Sequence, residues 1–363
     1  MNSDSVYRFY AAEISYFSAK VRPALRYKGL HFVELLPTPE AYRDVILKRT
    51  GLGFIPVVVT PEDETLQDTS DILDALELRH PEPPLEPRTP VQRVAARLIE
   101  LYADEFLVLP AMHYRWGTPE GETKARGDFA AFSGNPEMAN HFADRMSGSL
   151  PFLGVCPESA AVIEAHTHAL LDALSLHFAD HPYALGDAPS LADCALMGPL
   201  YAHLYLDAVP GRLLRERAQP VCHWIERMNH PDPNARGAWL ADDALAPTLM
   251  PLLRLVGQDA APLVLDTVRT FETWADERPA DMVEPPRAVG MHESGFRGVH
   301  FNRYTSAYTL WMLQRTLDVV CALAPDERRA VDAALAGTGC QGLLDYEPRH
   351  RLGKRDFKLV FEE

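Results

Sequence analysis

The fold is decided within residues 6–72, in four short segments that carry both strand signals and polar groups. They are VYRFY (6–10), ISYFSAKVR (14–22), FIPVVV (54–59) and LQDTSDI (66–72). The first and third segments are rich in β-branched and aromatic residues, which favour strands. In the second and fourth, hydroxyl or acidic side chains precede a helical pattern, as at helix N-termini.

The rest of this region fits the same alternation of strands and helices. A helix is predicted over 18–28, because Phe17, Val21, Ala24 and Leu25 form one apolar stripe that Gly29 ends. Strand 31–36, helix 39–48, a hairpin of 55–60 with 65–67, and helix 69–78 follow. The order βαβ-α-ββα predicts a small α/β domain over residues 1–82.

The proline-rich stretch 81–87 predicts a stiff linker, after which strand signals nearly vanish. Thr89 is the expected N-cap of a long helix, and Ser190 with Asp193 has the form of a capping box. These patterns predict an all-helical domain over 88–234, with an irregular stretch at 117–155. A mostly helical extension over 235–363 is expected to contain a loop at 277–299 and a helix at 304–323.

Composition excludes several classes of function. The chain has 363 residues, 47% of them apolar, and a formal charge of −16. This charge disfavours binding to nucleic acid or to an anionic membrane surface, since both need clustered Lys and Arg. Five separated cysteines suit reduced thiols better than a disulfide framework. With no signal-peptide pattern and no long apolar run, we expect a cytoplasmic protein.

Four motifs in order resemble those of glutathione transferases of the Ser/Cys type. The ISYFSAKVR segment is similar to their first strand–turn–helix, and Ile55-Pro56-Val57-Val58 to their cis-proline strand. Asp68-Thr69 resembles the acid–hydroxyl pair that opens their third helix, and residues 183–193 resemble a stretch of their helical domain. The resemblance covers residues 6 to about 230. It implies an α/β thioredoxin-like domain followed by the all-α domain of that family.

The resemblance also implies that glutathione is the co-substrate and that its thiolate attacks a small hydrophobic electrophile. A free thiol has a pKa near ~8.5, so a hydroxyl donor and a helix N-terminus are needed to favour the anion. Ser15 is the first candidate for this catalytic donor, with Ser18 and Tyr10 as alternatives. Each serine has an ordinary alternative role as a helix N-cap.

For the peptide itself, the resemblance places the Ile55 backbone, a cis Pro56, Asp68 and Thr69 around glutathione. Asp68 is expected to hold the ammonium, and Thr69 with helix N-terminal amides the carboxylate. Where the family usually has a lysine for the glycyl carboxylate, this chain has Phe54, so Lys48 or Arg49 is the expected substitute.

The electrophile is expected between the domains, on a partly charged wall. This acceptor pocket comprises Tyr16, which replaces the family's proline, and His113, Tyr114, Arg115 and Trp116.

Three further expectations complete the prediction. The spacing of His166, His168, His177 and His181 does not put them on one helix face, so no metal is expected. The basic end at 349–358 has two structural readings, a solvated strand or an intramolecular clamp on an acidic surface, and a partner site is the alternative to both. Family resemblance implies a homodimer, and the rival function is a non-catalytic binding or scaffold protein of the same fold.

Overall fold

The computed structural model describes residues 6–234 and 237–362, apart from the Phe132 side chain. An amino-terminal sheet has the strand order β2-β1-β3-β4, formed by β1 (Tyr7–Tyr10), β2 (Phe32–Leu35), β3 (Val57–Val59) and β4 (Thr65–Gln67). β1 runs parallel to β2 and antiparallel to β3, which in turn pairs with β4 as a hairpin. The predicted order of the strands along the chain and the predicted hairpin are confirmed.

Helices cover the two faces of this sheet. They are α1 (Tyr16–Tyr27), α2 (Pro39–Ala41), α3 (Leu47–Thr50) and α4 (Thr69–Arg79), with a π-helical turn at Tyr42–Ile46. On one face Phe9, Val58 and Ile72 join the main core, and on the other Tyr10, Ile46, Val57 and Val59 form a small separate cluster. The alternating side chains of β1 and β3 thus bury both faces of a narrow sheet.

The central domain is entirely helical in its described part. Its helices are α5 (Pro90–Glu105), α6 (Val108–Trp116), α7 (Pro119–Ser133), α8 (Pro136–Ser147), α9 (Leu150–Leu153), α10 (Pro157–Asp180), α11 (Leu191–Met197), α12 (Ala208–Arg217) and α13 (Gln219–Asn229), with a π-helical segment at Gly198–Tyr205. The predicted capping box is present, since the Asp193 carboxylate accepts the Ser190 amide at 2.9 Å.

The prediction of an irregular stretch in this domain is wrong. Residues 117–155 are not irregular, because Thr118 and Asn135 each cap a helix that has proline at its first position.

Thr89 holds the predicted N-cap position of α5, but its side chain makes no capping hydrogen bond. Instead the carboxylate of Asp243, from the extension, accepts the amides of Val91 and Gln92 at 2.8 and 2.9 Å.

The extension mixes helices with two hairpins. Its elements are 3-10 turns at Ala241–Asp243 and Pro247–Leu249, α14 (Met250–Leu255), a π-helical turn at Val256–Ala260, α15 (Ala261–Asp276), β5 (Ala288–Phe296), β6 (Val299–Ser306), α16 (Ala307–Cys321), α17 (Pro325–Ala334), α18 (Gln341–Leu344), β7 (Arg351–Arg355) and β8 (Lys358–Glu362). The predicted loop at 277–299 is therefore wrong over β5, and the predicted helix at 304–323 begins later, at Ala307. The turn Arg297-Gly298 joins β5 to β6, with positive φ at both residues.

The extension shares one continuous hydrophobic core with both other parts of the chain. Helix α16 packs against α5 and α15. A buried hydrogen-bond network reinforces this packing. The Tyr102 hydroxyl is hydrogen-bonded to His166 Nε2 at 2.6 Å, and His166 Nδ1 is hydrogen-bonded to the Asp259 carboxylate at 2.6 Å. Arg297, in the β5–β6 turn, donates to the same Asp259 carboxylate at 2.8 Å. The hairpin is thereby fixed to the central domain.

A buried charge cluster joins α1, α4 and α5. The Lys20 ammonium donates to Ser70 Oγ at 3.0 Å, to Glu100 at 2.9 Å and to Asp104 at 2.6 Å. Burial raises the pKa of Asp104 to about 7; the Lys20 ammonium opposes this rise and the neighbouring Glu100 carboxylate adds to it. Two carboxylates thus share one ammonium in the interior, which is favourable only with good geometry.

We expect Asp104→Asn, which mimics the protonated carboxyl, to change how stability depends on pH. A carboxyl whose pKa rises from 3.8 to about 7 on folding holds its proton more tightly in the folded protein. Its contribution to stability is therefore full below about pH 4 and is lost as the pH rises towards 7. Relative to the variant, the native protein should lose at most about 1.4 kcal/mol of unfolding free energy per pH unit in this range.

Urea unfolding at a series of pH values measures this difference. Asp172→Asn, at a largely exposed carboxylate, is the control and should give a curve parallel to that of the native protein. A parallel curve for Asp104→Asn as well would contradict the prediction.

Candidate functional site

The sheet register brings the predicted site residues to one end of the sheet. Tyr10 pairs with Val57, and Val57 pairs with Gln67. Beyond these pairs, β1 continues into the turn that leads to Ser15, β3 is entered from Ile55-Pro56, and β4 leaves into Asp68. Three chain segments that are distant in sequence therefore meet at this edge. The Ile55-Pro56 peptide bond is cis, as predicted.

Ser15 is the N-cap of α1. Its Oγ accepts the Ser18 amide at 3.3 Å, and its side chain is half-buried. Because the hydroxyl oxygen accepts this bond, its O–H remains able to donate to a ligand. The preceding carbonyl, that of Ile14, accepts from Arg115 Nη1 at 2.8 Å, which fixes the turn from the side of the central domain.

The two alternatives to Ser15 are placed differently. Ser18 is fully buried, and its Oγ accepts the Ala12 amide at 3.3 Å. Tyr10 lies in the apolar cluster with Ile46, Val57 and Val59, on the sheet face away from the main core. Of the three candidates, Ser15 alone has a partly exposed side chain at a helix N-terminus.

Asp68 is the N-cap of α4, with φ of 75°, and its Oδ1 accepts the Ser70 amide at 3.0 Å. Its Oδ2 accepts the Tyr308 hydroxyl at 2.6 Å and faces the Lys354 ammonium at 3.0 Å. Burial favours the neutral acid, but Lys354 and Tyr308 outweigh it and lower the pKa of Asp68. Thr69 is buried beside it.

The contacts of Tyr308 and Lys354 with Asp68 were not predicted from the sequence. Lys354 also pairs with Asp71 at 2.7 Å, and its Nζ lies 3.5 Å from the centroid of the Trp311 ring. The signal in the sequence was the basic stretch 349–358, for which an intramolecular clamp was one of two readings, and that reading is confirmed. Its target was not identifiable, because more than 280 residues separate Lys354 from Asp68.

A second contribution of the extension lies at Phe54, where the family usually has lysine. The Arg287 guanidinium stacks on the Phe54 ring, 4.2 Å from its centroid. Of the expected substitutes, Lys48 is exposed on α3, and Arg49 is paired with Asp63 at 2.8 Å. Arg287 therefore brings a positive charge next to the cis-proline turn.

The residues predicted to form an open wall for the acceptor do not form an exposed surface. Tyr16, His113, Tyr114, Arg115 and Trp116 are all buried. The Tyr16 hydroxyl donates to the Ala103 carbonyl at 2.5 Å, and burial raises its pKa well above the ordinary value.

The partners of the other wall residues explain their burial. Arg115 donates to Asp207 at 2.8 Å, and His113 lies 3.0 Å from Glu164. These side chains pack within and between the domains instead of facing solvent.

Within residues 6–234 and 237–362, no three His, Cys, Asp or Glu side chains are placed to hold a metal ion. In the same ranges, none of the helices combines the length and apolar character needed to cross a bilayer.

Comparison with solved structures found partial similarity at low identity. A glutathione S-transferase from Rhodospirillum rubrum F11 is 18% identical, with a TM-score of 0.42, over 68% of this chain and 91% of that one. One from Methylobacterium radiotolerans JCM 2831, in complex with glutathione sulfonate, is 24% identical, with a TM-score of 0.41, over 63% and 92%. The β-etherase LigF from Sphingobium sp. strain SYK-6 is 19% identical, with a TM-score of 0.46, over 62% and 96%.

A search of curated proteins by sequence found no match. Family models, however, match two separate parts of the chain. Residues 9–84 match the glutathione S-transferase N-terminal domain, and residues 158–232 match the glutathione S-transferase C-terminal domain. This chain therefore contains both glutathione S-transferase domains, in the expected order and on the observed fold.

Proposed function

We propose that this protein is a thiol transferase that binds glutathione or a closely related thiol at the sheet end and transfers it to a small hydrophobic electrophile. The observation that carries the proposal is the meeting of Ser15, cis Ile55-Pro56 and Asp68-Thr69 at one end of the sheet. Two helix N-termini, those of α1 and α4, begin there and favour bound anions.

In the proposed reaction Ser15 donates its O–H to the ligand sulfur. This bond and the N-terminus of the twelve-residue α1 favour ionisation of the thiol, whose proton goes to solvent. The sulfur lone pair then forms a bond to the electrophilic carbon, and the leaving group departs with its electron pair. The Ile55 backbone is assigned to the cysteinyl part of the ligand, and Thr69 with the α4 amides to a carboxylate.

Arg287 is assigned to the other end of the ligand. We propose that Arg287 binds the glycyl carboxylate, in place of the earlier candidates Lys48 and Arg49. The Arg287 guanidinium lies on the Phe54 ring, immediately before Ile55-Pro56. An arginine held on an aromatic ring keeps its donors available at the ring edge. The acceptor substrate is proposed only by class, as a small hydrophobic electrophile.

One observation favours the alternative of a non-catalytic binding or scaffold protein. The Asp68 carboxylate, assigned by resemblance to a ligand ammonium, is already paired with Lys354 and Tyr308. Retention on immobilised glutathione without turnover of a generic aryl halide, unaffected by Ser15→Ala, would support this alternative. A cytoplasmic location stays a prediction from the sequence patterns, and a homodimer stays a prediction from family resemblance.

We expect Ser15→Ala to lower kcat/KM for glutathione and an aryl halide by about 10- to 100-fold. A hydrogen bond to a charged group contributes about 1.5–3 kcal/mol, and removing the donor raises the pKa of the bound thiol. Steady-state kinetics measure the rate, and the thiolate absorbance of bound glutathione against pH measures the pKa.

Asn135→Ala is the matched control for the loss of a cap. Asn135 caps the central-domain helix α8 through the amides of Glu137 and Met138, both at 3.1 Å, and α8 contributes none of the residues assigned to the thiol site. This variant should leave both readouts unchanged. An unaltered thiol pKa in Ser15→Ala would contradict the assignment of Ser15.

We expect Arg287→Met to raise the KM for glutathione by about two- to fivefold, since a solvent-exposed charge pair contributes up to about 1 kcal/mol. The glycyl ethyl ester of glutathione lacks that carboxylate charge. Its KM should therefore be nearly the same in the native protein and in Arg287→Met. Lys48→Met serves as the matched control and should leave KM unchanged. A larger effect from Lys48→Met than from Arg287→Met would show that the assignment is wrong.

A further inference from the structure

We infer that Lys354 occupies the ammonium subsite of the thiol site, so that the protein selects thiols without a free amino group at that end. The inference rests on the proposed function and names its ligand class. In this class the glutathione-like thiol and carboxylates are kept, while the α-amino group is absent or blocked.

The first step of the argument is that both oxygens of Asp68 already have partners within the protein. Its Oδ1 accepts the Ser70 amide at 3.0 Å. Its Oδ2 receives both the Tyr308 hydroxyl at 2.6 Å and the Lys354 ammonium at 3.0 Å. Both charged partners are mostly buried, with side-chain exposures of 12% for Asp68 and 15% for Lys354. A ligand ammonium at Asp68 therefore has to displace Lys354 from a desolvated ion pair or lie beside a like charge.

The second step is that Lys354 is held by more than Asp68. Its ammonium also pairs with Asp71 at 2.7 Å and sits over the Trp311 ring at 3.5 Å from the centroid. Its strand β7 is fixed to α16, since the Leu352 amide donates to Gln314 at 3.0 Å and the Gln314 amide donates back to the Leu352 carbonyl at 3.0 Å. The lysine is thus presented on a braced strand and not on a free tail.

The third step concerns charge. Without Lys354, Asp68 and Asp71 would place two carboxylates at the start of α4. Lys354 offsets one of these two charges as a ligand ammonium would, and the Arg315 guanidinium lies 4.0 Å from Asp71, which together reduce the demand for a further cation there. Of the carboxylate-binding groups assigned above, the Ser70 amide is taken by Asp68, while the Thr69 hydroxyl and amide make no contact with Lys354. A ligand can therefore lose its ammonium and still keep its other contacts.

The fourth step is that Lys354 borders open space. A cleft of about 300 Å³ lies beside it, with Asp71, Trp311, Arg315 and Arg351 among its lining residues. The barrier to glutathione is therefore the charge pair of Lys354 with Asp68 and not a closed wall. A substitution that removes the Lys354 ammonium should restore glutathione binding.

The test compares two probes, glutathione and desamino-glutathione, by isothermal titration calorimetry on the full chain. The native protein should bind the desamino thiol at least about tenfold more tightly, because glutathione has to break a buried charge pair. Lys354→Met keeps an apolar stem on Trp311 but removes the ammonium. In this variant the preference should reverse, since Asp68 is open to the glutathione ammonium.

Lys358→Met is the control on the same hairpin. Lys358 pairs with Glu284 at 3.2 Å, away from Asp68, and its variant should keep the native preference. Lys354→Gln gives the same comparison if the methionine variant does not fold, as checked by thermal denaturation.

Two results would overturn the inference. A native protein that prefers glutathione, or an unchanged preference in both Lys354 variants, would show that Lys354 does not act as the ammonium. If thiols still bind in either case, the proposed function stands. If neither thiol binds to any variant, the proposed function falls together with the inference.

Discussion

The structure depends on one ion pair, between Asp68 at the start of α4 and Lys354 on β7. Asp68 directly follows the last strand of the amino-terminal hairpin and is the N-cap of α4. It therefore lies where the sheet, the proposed site and the extension meet. The Tyr308 hydroxyl completes the set from α16. A charge buried here is tolerated only because its partner is supplied, and the partner comes from the far end of the same chain.

The extension is therefore part of the site as well as part of the core. Asp243 caps α5, Asp259 pairs with His166, and Lys354 pairs with Asp68 and Asp71. Each contact satisfies a group on one of the two family domains that would otherwise need water or a ligand. The same segment adds Arg287 at Phe54. The proposed site thus receives Lys354 at one end and Arg287 at the other from the extension, with the Ser15 turn between them.

Local signals made much of the fold predictable. The β1–α1 turn, the cis peptide at Pro56 and the start of α4 each lie within a few residues, and their chemistry is visible in sequence. The Thr118-Pro119 and Asn135-Pro136 pairs were equally visible helix starts, but the surrounding glycines concealed them. The β5–β6 hairpin was hidden because Gly290 and Gly295 interrupt its alternation. Lys354 and Arg287 were unpredictable as site residues, since only tertiary packing brings them to Asp68 and Phe54.

The most direct test of this account is a crystal structure of the protein with bound desamino-glutathione. We predict the ligand sulfur within hydrogen-bonding distance of Ser15 Oγ, a carboxylate at the first turn of α4, and Lys354 still paired with Asp68. A sulfur bound away from Ser15, or a Lys354 side chain withdrawn from Asp68 with nothing in its place, would contradict it.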